Sequence, residues 1–308
     1  MSALRERERA RRSLRVGPPW QAQFVLLSMI WGGSFLSIKV LDRRWAPVDV
    51  ALGRCALGAV TLLAVLAWRR ERLPRGMNVW GHLAVLGVLW NVIPFTLFAY
   101  GETKISSVLA GLWNATTPLM TLLAVLIAFP EENPTRERMA GLGIGFAGVV
   151  LVLGPWRGIG GGALVGQLAC LLAAACYGVV IPYTRRYLGD RPESGLALSA
   201  GQLLCATLQL ALLAPLARTP TLGLSAGGWA GLLALGVLST GVGFVLLYAI
   251  IRAAGVTTAS TVPYLIPLFS TALGVLVLGE GLQANEPLGA AVVLLGIAVA
   301  QGRVRLRR

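Results

Sequence analysis

Few side chains in this sequence are equipped for covalent chemistry, and those few are scattered. The single histidine, His82, has no acid close by in sequence to serve with it as a base pair. Asp42 and Asp49 are isolated acids, so nothing resembles a carboxylate cluster for a divalent cation. Cys55, Cys170, Cys176 and Cys205 all fall in apolar stretches without Cys-x-x-Cys spacing, and read as small core residues rather than disulfides or metal ligands. The glycine-rich residues 158–162 lack a following Gly-Lys-Ser/Thr, which excludes ATP drive by this chain alone. The sequence thus predicts no catalytic group, metal or cofactor. What remains is recognition without covalent chemistry.

The residues suited to recognition are neutral, polar or aromatic, and they lie inside apolar runs. Ser106, Ala110, Trp113, Asn114, Thr117 and Thr121 recur at helical spacing, as do Thr257, Ser260, Thr261, Tyr264 and Thr271. Asn91, Thr240, Trp31, Ser34 and Tyr177 join them from other runs. In hydrocarbon an unpaired polar group is costly, so such stripes face a cavity or another helix. The plainer reading stands beside this one: Ser and Thr in membrane helices commonly bond their own backbone or a neighbouring helix. The candidate substrate-binding set is Trp31, Ser34, Asn91, Trp113, Asn114, Thr117, Tyr177, Thr240, Thr261 and Tyr264. Trp20 and Trp45 read as interface anchors instead.

The elements that must position these residues follow from composition. The chain is 56% hydrophobic and 13% charged, against about 25% charged in soluble domains. Its apolar runs are about 20 residues long, the length a helix needs to cross the bilayer. They predict an all-α integral membrane protein with ten spans: 20–41, 48–68, 79–100, 105–129, 138–154, 163–186, 194–217, 226–250, 256–278 and 284–302. Residues 1–41 read as a basic tail and first span rather than a cleaved leader. Pro94, Pro118, Pro182, Pro263 and Pro267 fall mid-span, where each frees a carbonyl and breaks or kinks the helix.

The net charge of +14 invites a nucleic-acid reading that its distribution refuses. Assigning the connections alternately to two sides puts 20 of the 27 Lys and Arg on the side of the termini. That is the positive-inside pattern, which predicts two cytoplasmic termini and a lipid, not nucleic-acid, partner.

An internal duplication organises the spans. Trp31 and Lys39 are answered by Tyr177 and Arg185, and Tyr100 and Lys104 by Tyr248 and Arg252. Pro118 and Glu131 are answered by Pro267 and Glu280, and Gly141 and Gly148 by Gly289 and Gly296, all at offsets of 146 to 149. Each half carries five spans, an odd number, so the second half is expected upside down relative to the first, an arrangement that suits a transporter. The expected division is a tail at 1–19, a first five-helix repeat at 20–154, a linker at 155–162, an inverted repeat at 163–302 and a tail at 303–308, the repeats enclosing a central cavity.

The stretch 26–35 (Leu-Leu-Ser-Met-Ile-Trp-Gly-Gly-Ser-Phe), Pro47 with Arg54, the segment from Tyr100 to Pro118, and the repeat-terminal Glu131 and Glu280 together resemble the drug/metabolite transporter superfamily, in its ten-helix EamA-like branch. The resemblance covers about residues 20–302 and implies exporters of amino acids, drugs and other metabolites. The family's small four-helix relatives carry a glutamate in their first helix; span one here has no acid.

The charged candidates are Arg54, Lys104, Arg252, Glu131 and Glu280. Arg54, well inside span two, either bonds carbonyls at a kink or holds a substrate anion. Lys104 and Arg252 read as end-of-helix charges or gate cations. The two glutamates read as rim salt-bridge partners in preference to proton carriers. The functional expectation is a secondary transporter or facilitative permease for a small amphipathic metabolite, an amino acid or similar, exporting it across a bacterial cytoplasmic membrane as a monomer. A proton-coupled drug/metabolite antiporter is the alternative, and the scarcity of buried acids favours uniport. A membrane-embedded enzyme is the reading from another class.

Overall fold

The computed structural model describes residues 19–129, 135–154, 161–189, 191–217 and 223–303. Among them there are helices and turns and no strand. In chain order the helical rods are α1 (Trp20–Leu41), α2 (Pro47–Arg69), α3 (Met77–Glu102), α4 (Ser107–Ala128), α5 (Arg136–Leu153), α6 (Gly161–Leu188), α7 (Gly195–Leu213), α8 (Ala226–Ala254), α9 (Val262–Leu278, after a short Val256–Ala259 turn of helix) and α10 (Asn285–Ala300). Seven of these, α1 to α4 and α6 to α8, are long and apolar enough to cross a membrane; α9 and α10 are apolar but shorter. Large apolar side chains such as Leu276, Ile127, Leu212 and Val60 face outward, as lipid contact requires.

Local sequence explains where the rods begin and stop. Ser106, Thr135, Ser194 and Ser225 each accept a hydrogen bond from a backbone N–H three residues on, capping α4, α5, α7 and α8. Pro47 starts α2 at a position where its missing N–H costs nothing. Gly154 and Gly279 end α5 and α9 in the left-handed conformation, at φ 61° and 66°.

Four rods depart from regular α-helix along their length. α4 loosens at Ala115 and Thr116 just before Pro118, and α9 opens with a 3₁₀ turn, Val262–Tyr264, that contains Pro263 and precedes Pro267. Pro182 is carried within α6. α3 and α8 each contain a π-helical stretch, Gly87–Val92 and Ala234–Val242, at matching places in the two halves of the sequence. π-turns interrupt the regular ladder and are frequent at functional sites.

The rods pair across the two halves: α2 with α7, α5 with α10, α1 with α9 and α6 with α4. Matching residues make matching contacts. A Cβ on Gly32 would meet Phe269 Cβ at 2.6 Å, and one on Gly178 would meet Met120 Cβ at 2.8 Å. Between α5 and α10, a Cβ on Gly148 would lie 2.8 Å from the Gly289 carbonyl oxygen, and one on Gly289 2.9 Å from that of Gly148. Only glycine lets two backbones run antiparallel this close.

Candidate functional site

The broken rods converge on a cavity of about 520 Å³, within the range usual for small-molecule sites. Trp31, Ser34 and Phe35 come from α1, Arg54 from α2 and Trp90 from the π-turn of α3. Asn114, Thr117, Pro118 and Thr121 come from the break in α4, and Tyr177 from α6. Ser260, Pro263 and Tyr264 line it around the start of α9. The cavity runs from these residues toward Gln301, just beyond α10, at the end of the bundle that carries Trp20 and Ala300.

Among the described residues lining the cavity, Arg54 is the one that carries a charge. The residue is 9% exposed. Its Nε donates to Thr240 Oγ1 at 2.9 Å, an Nη donates to Ser239 Oγ at 3.5 Å, and the guanidinium lies 3.6 Å over the Phe95 ring. Thr240 in turn donates to the Leu235 carbonyl inside the π-turn of α8, which fixes the hydroxyl that faces Arg54. Hydroxyls and a ring hold the guanidinium, not the kink carbonyls that the sequence suggested. Its direct contacts are neutral and the Glu102 carboxyl acts on it only electrostatically, so the guanidinium keeps donors that suit an anion.

The aromatic wall is fixed by its own bonds. Trp31 Nε1 donates 3.0 Å to the Ser239 carbonyl, and Ser34 Oγ donates to the Trp31 carbonyl at 2.6 Å. Phe35 meets Phe98 edge-on at 5.5 Å, and Phe98 stacks on Tyr177 at 6.0 Å.

Beyond Phe35, at the other end of the bundle, polar contacts tie the helices together. Glu280, following α9, accepts hydrogen bonds from Ser107 N at 2.9 Å, Ser107 Oγ at 2.8 Å and Val108 N at 3.0 Å. It caps the start of α4 from 173 residues away, where the helix dipole favours a carboxylate. The sequence reading of Glu280 as a rim salt-bridge partner is corrected to this cap. Lys39 Nζ donates to the carbonyls of Glu102 and Ile105, the latter at 2.7 Å, tying α1 to the turn between α3 and α4.

The family model for EamA-like transporters matches the chain twice, over residues 19–154 and 164–301. The chain belongs to the EamA-like transporter family. A protein of Clostridium kluyveri named "Uncharacterized transporter" is 24% identical to it over 283 residues, 89% of this chain and 90% of that one. One of Streptantibioticus cattleyicolor named "Probable terminal-alkyne amino-acid exporter" is 24% identical over 287 residues, 92% of this chain and 94% of the other. A solved structure titled "Crystal structure of protein" has the same fold, with a TM-score of 0.66, 21% identity and coverage of 92% and 96%. Family and relatives indicate a membrane-embedded transporter of a small molecule rather than an enzyme.

In this EamA-like chain the sequence candidates divide by position. Trp31, Ser34, Asn114, Thr117, Tyr177, Tyr264 and Arg54 share the cavity wall. Asn91, Trp113, Thr240 and Thr261 do not. Asn91 accepts from Gln202 Nε2 at 2.6 Å between α3 and α7, and Trp113 is buried in the core at 1% exposure. Thr240 supports Arg54 from behind, and Thr261 donates to the Thr258 carbonyl. Lys104 and Arg252 are exposed at opposite ends, off the wall. Glu131 lies outside the described residues.

Two acids stand differently from the sequence reading: Glu102 was not singled out, and Asp42, expected to be isolated, lies within electrostatic reach of Glu102 and Lys39. Glu102 ends α3 with no exposed surface, and among the described residues neither carboxylate oxygen has a hydrogen-bond donor. Asp42, just past α1, likewise has two buried oxygens without donors. The span limit expected at residue 100 left Glu102 in a loop, where its burial could not be foreseen.

Proposed function

We propose that this protein is a permease that exports a small amphipathic metabolite bearing a carboxylate, an amino acid or a close relative, across the bacterial cytoplasmic membrane. The observation that carries the reading is Arg54: a buried guanidinium whose hydrogen-bond and ring contacts are neutral, on the wall of an aromatic cavity. A carboxylate on Arg54 would leave the substrate's apolar body between Trp31, Phe35, Trp90 and Tyr177.

In this reading ten spans form two inverted five-helix repeats, with both termini cytoplasmic. The reciprocal contacts Gly32–Phe269 and Gly178–Met120 support the inversion, as does the antiparallel Gly148–Gly289 seam. Alternating access would exchange the closed Lys39 end for the open one around a fixed site. The cavity then faces the cytoplasm, where an exporter loads. The name of the Streptantibioticus relative supports an amino-acid cargo.

The test is flux of an amino-acid and metabolite panel into and out of proteoliposomes, with and without a pH gradient. Flux above empty liposomes, lowered by Trp31→Ala or Asn114→Ala more than the yield of folded protein is lowered, is the expected result. No flux of any panel member, or flux untouched by both substitutions, would remove the assignment.

A further inference from the structure

At the closed end charge and hydrogen bonding do not balance. One ammonium, Lys39, stands among three carboxylates, Asp42, Glu102 and Glu280, and all four interact electrostatically. Glu280 is satisfied by its three donors from α4. Lys39 spends two of its protons on backbone carbonyls. Glu102 and Asp42 are left with four buried oxygens and no donor among the described residues. A buried ionised carboxylate without donors is strongly disfavoured by desolvation, and a proton removes that cost.

The second half of the chain shows that packing does not demand acids here. At the offsets of the duplication, Asp42 corresponds to Leu188 and Glu102 to Ile250, both buried apolar residues at 4% and 0% exposure. The same fold positions are filled by hydrocarbon at one end and by two carboxyls at the other. No group of three or more acid, histidine or cysteine side chains among the described residues is close enough to hold a metal ion, so a proton fits the pair better than a cation.

We infer that Asp42 and Glu102 form a proton site in the seal, beside Lys39, and that loss of the proton loosens the closed end. The groups facing this site are Lys39 on α1, Arg54 on α2, Cys170 on α6 and Glu280 after α9. Of these only Lys39 adjoins both acids electrostatically by direct opposition of charge. The site is separate from the cavity wall and takes a ligand, the proton, that the transport reading does not supply. If transport is confirmed, the inference makes export pH-dependent: a proton taken up from outside closes the seal, and its return to the same side reopens it.

The sign follows from Asp42. Burial pushes its carboxyl from an ordinary 3.8 up to about 8, against the pull of Lys39. An opened, hydrated seal returns it toward the ordinary value, so the closed state binds the proton more tightly. Closure is then fully favoured below about pH 4, weakens as pH rises, and stops changing above about pH 8.

The experiment uses spin labels at Thr103 and Gln283, exposed residues flanking the seal, with Cys176 and Cys205 replaced by alanine. Pulsed electron paramagnetic resonance on the protein in lipid nanodiscs gives the distance distribution between about pH 5 and pH 8. The expected closed-to-open ratio falls roughly tenfold or more over that range. Asp42→Asn with Glu102→Gln, which mimics the protonated pair, should stay closed and flat with pH. A flat wild-type profile, or a double variant that follows the wild type, overturns the inference; if the double variant does not fold, Asp42→Asn alone is judged by the same criterion. No substrate is needed, so absent panel flux would sink the permease reading and leave this result standing.

Discussion

The two ends of the bundle are built on the same helical frame and finished differently. At the Lys39 end a carboxylate caps α4, an ammonium ties α1 to the turn after α3, and two further acids are buried without donors. At the end carrying the termini, the matching positions hold Leu188 and Ile250, and the cavity runs out to Gln301. Duplication copied the scaffold, down to Gly32 on Phe269 and Gly178 on Met120, but the charges were not copied with it. In the proposed reading a symmetric frame would supply two gates, and asymmetric polar chemistry would decide which gate closes and what opens it.

Making the ends alike should do the most damage. Ile250→Glu places a carboxylate in a fully buried apolar site; Arg185, the counterpart of Lys39, is exposed. A loss of about 3–5 kcal/mol, read as a collapse in thermal stability in detergent, is expected. Removing the helix cap should cost less: Glu280→Ala strips the acceptor from two backbone N–H groups and one hydroxyl, about 1–3 kcal/mol. Its signature is a wider Thr103–Gln283 separation, not only a lower melting temperature.

The reverse exchange should be almost silent for stability. Glu102→Leu replaces a donorless carboxyl by hydrocarbon of similar size, and a change of about 1 kcal/mol or less, in either direction, is expected by calorimetry. Acidification provides the mildest test. Because Asp42 is raised to about 8, wild-type stability should increase as pH falls from about 8 toward 4, with that component missing in Asp42→Asn. A seal whose melting temperature has the same pH slope in both proteins would erase the contrast between the ends.

Much of this frame was readable from residue types alone. Apolar runs, basic connections and paired motifs pointed to an all-helical membrane protein of this family, and mid-span prolines marked where α4 and α9 break. Six of the ten proposed binding residues share the cavity, three of them (Asn114, Thr117 and Tyr264) beside the breaks at Pro118 and Pro263. Asn91 misled: Gln202, a polar residue in α7, was the partner to look for. Glu102 was out of reach, since its burial depends on Lys39 and Asp42 arriving from another helix. Arg54 was recognised as exceptional, yet its partners at Ser239 and Thr240 lie 185 and 186 residues away.

The central claim is that Arg54 receives a substrate carboxylate, and one comparison meets it head-on. Proteoliposomes would be loaded with amino acids and with the amines left after removing their carboxyl groups, and efflux corrected for empty liposomes. The account predicts that a transported acid outpaces its amine, and that Arg54→Gln cuts this preference by roughly tenfold or more while the protein still elutes as a folded species. Equal efflux of acid and amine, or a preference that survives Arg54→Gln, would contradict it.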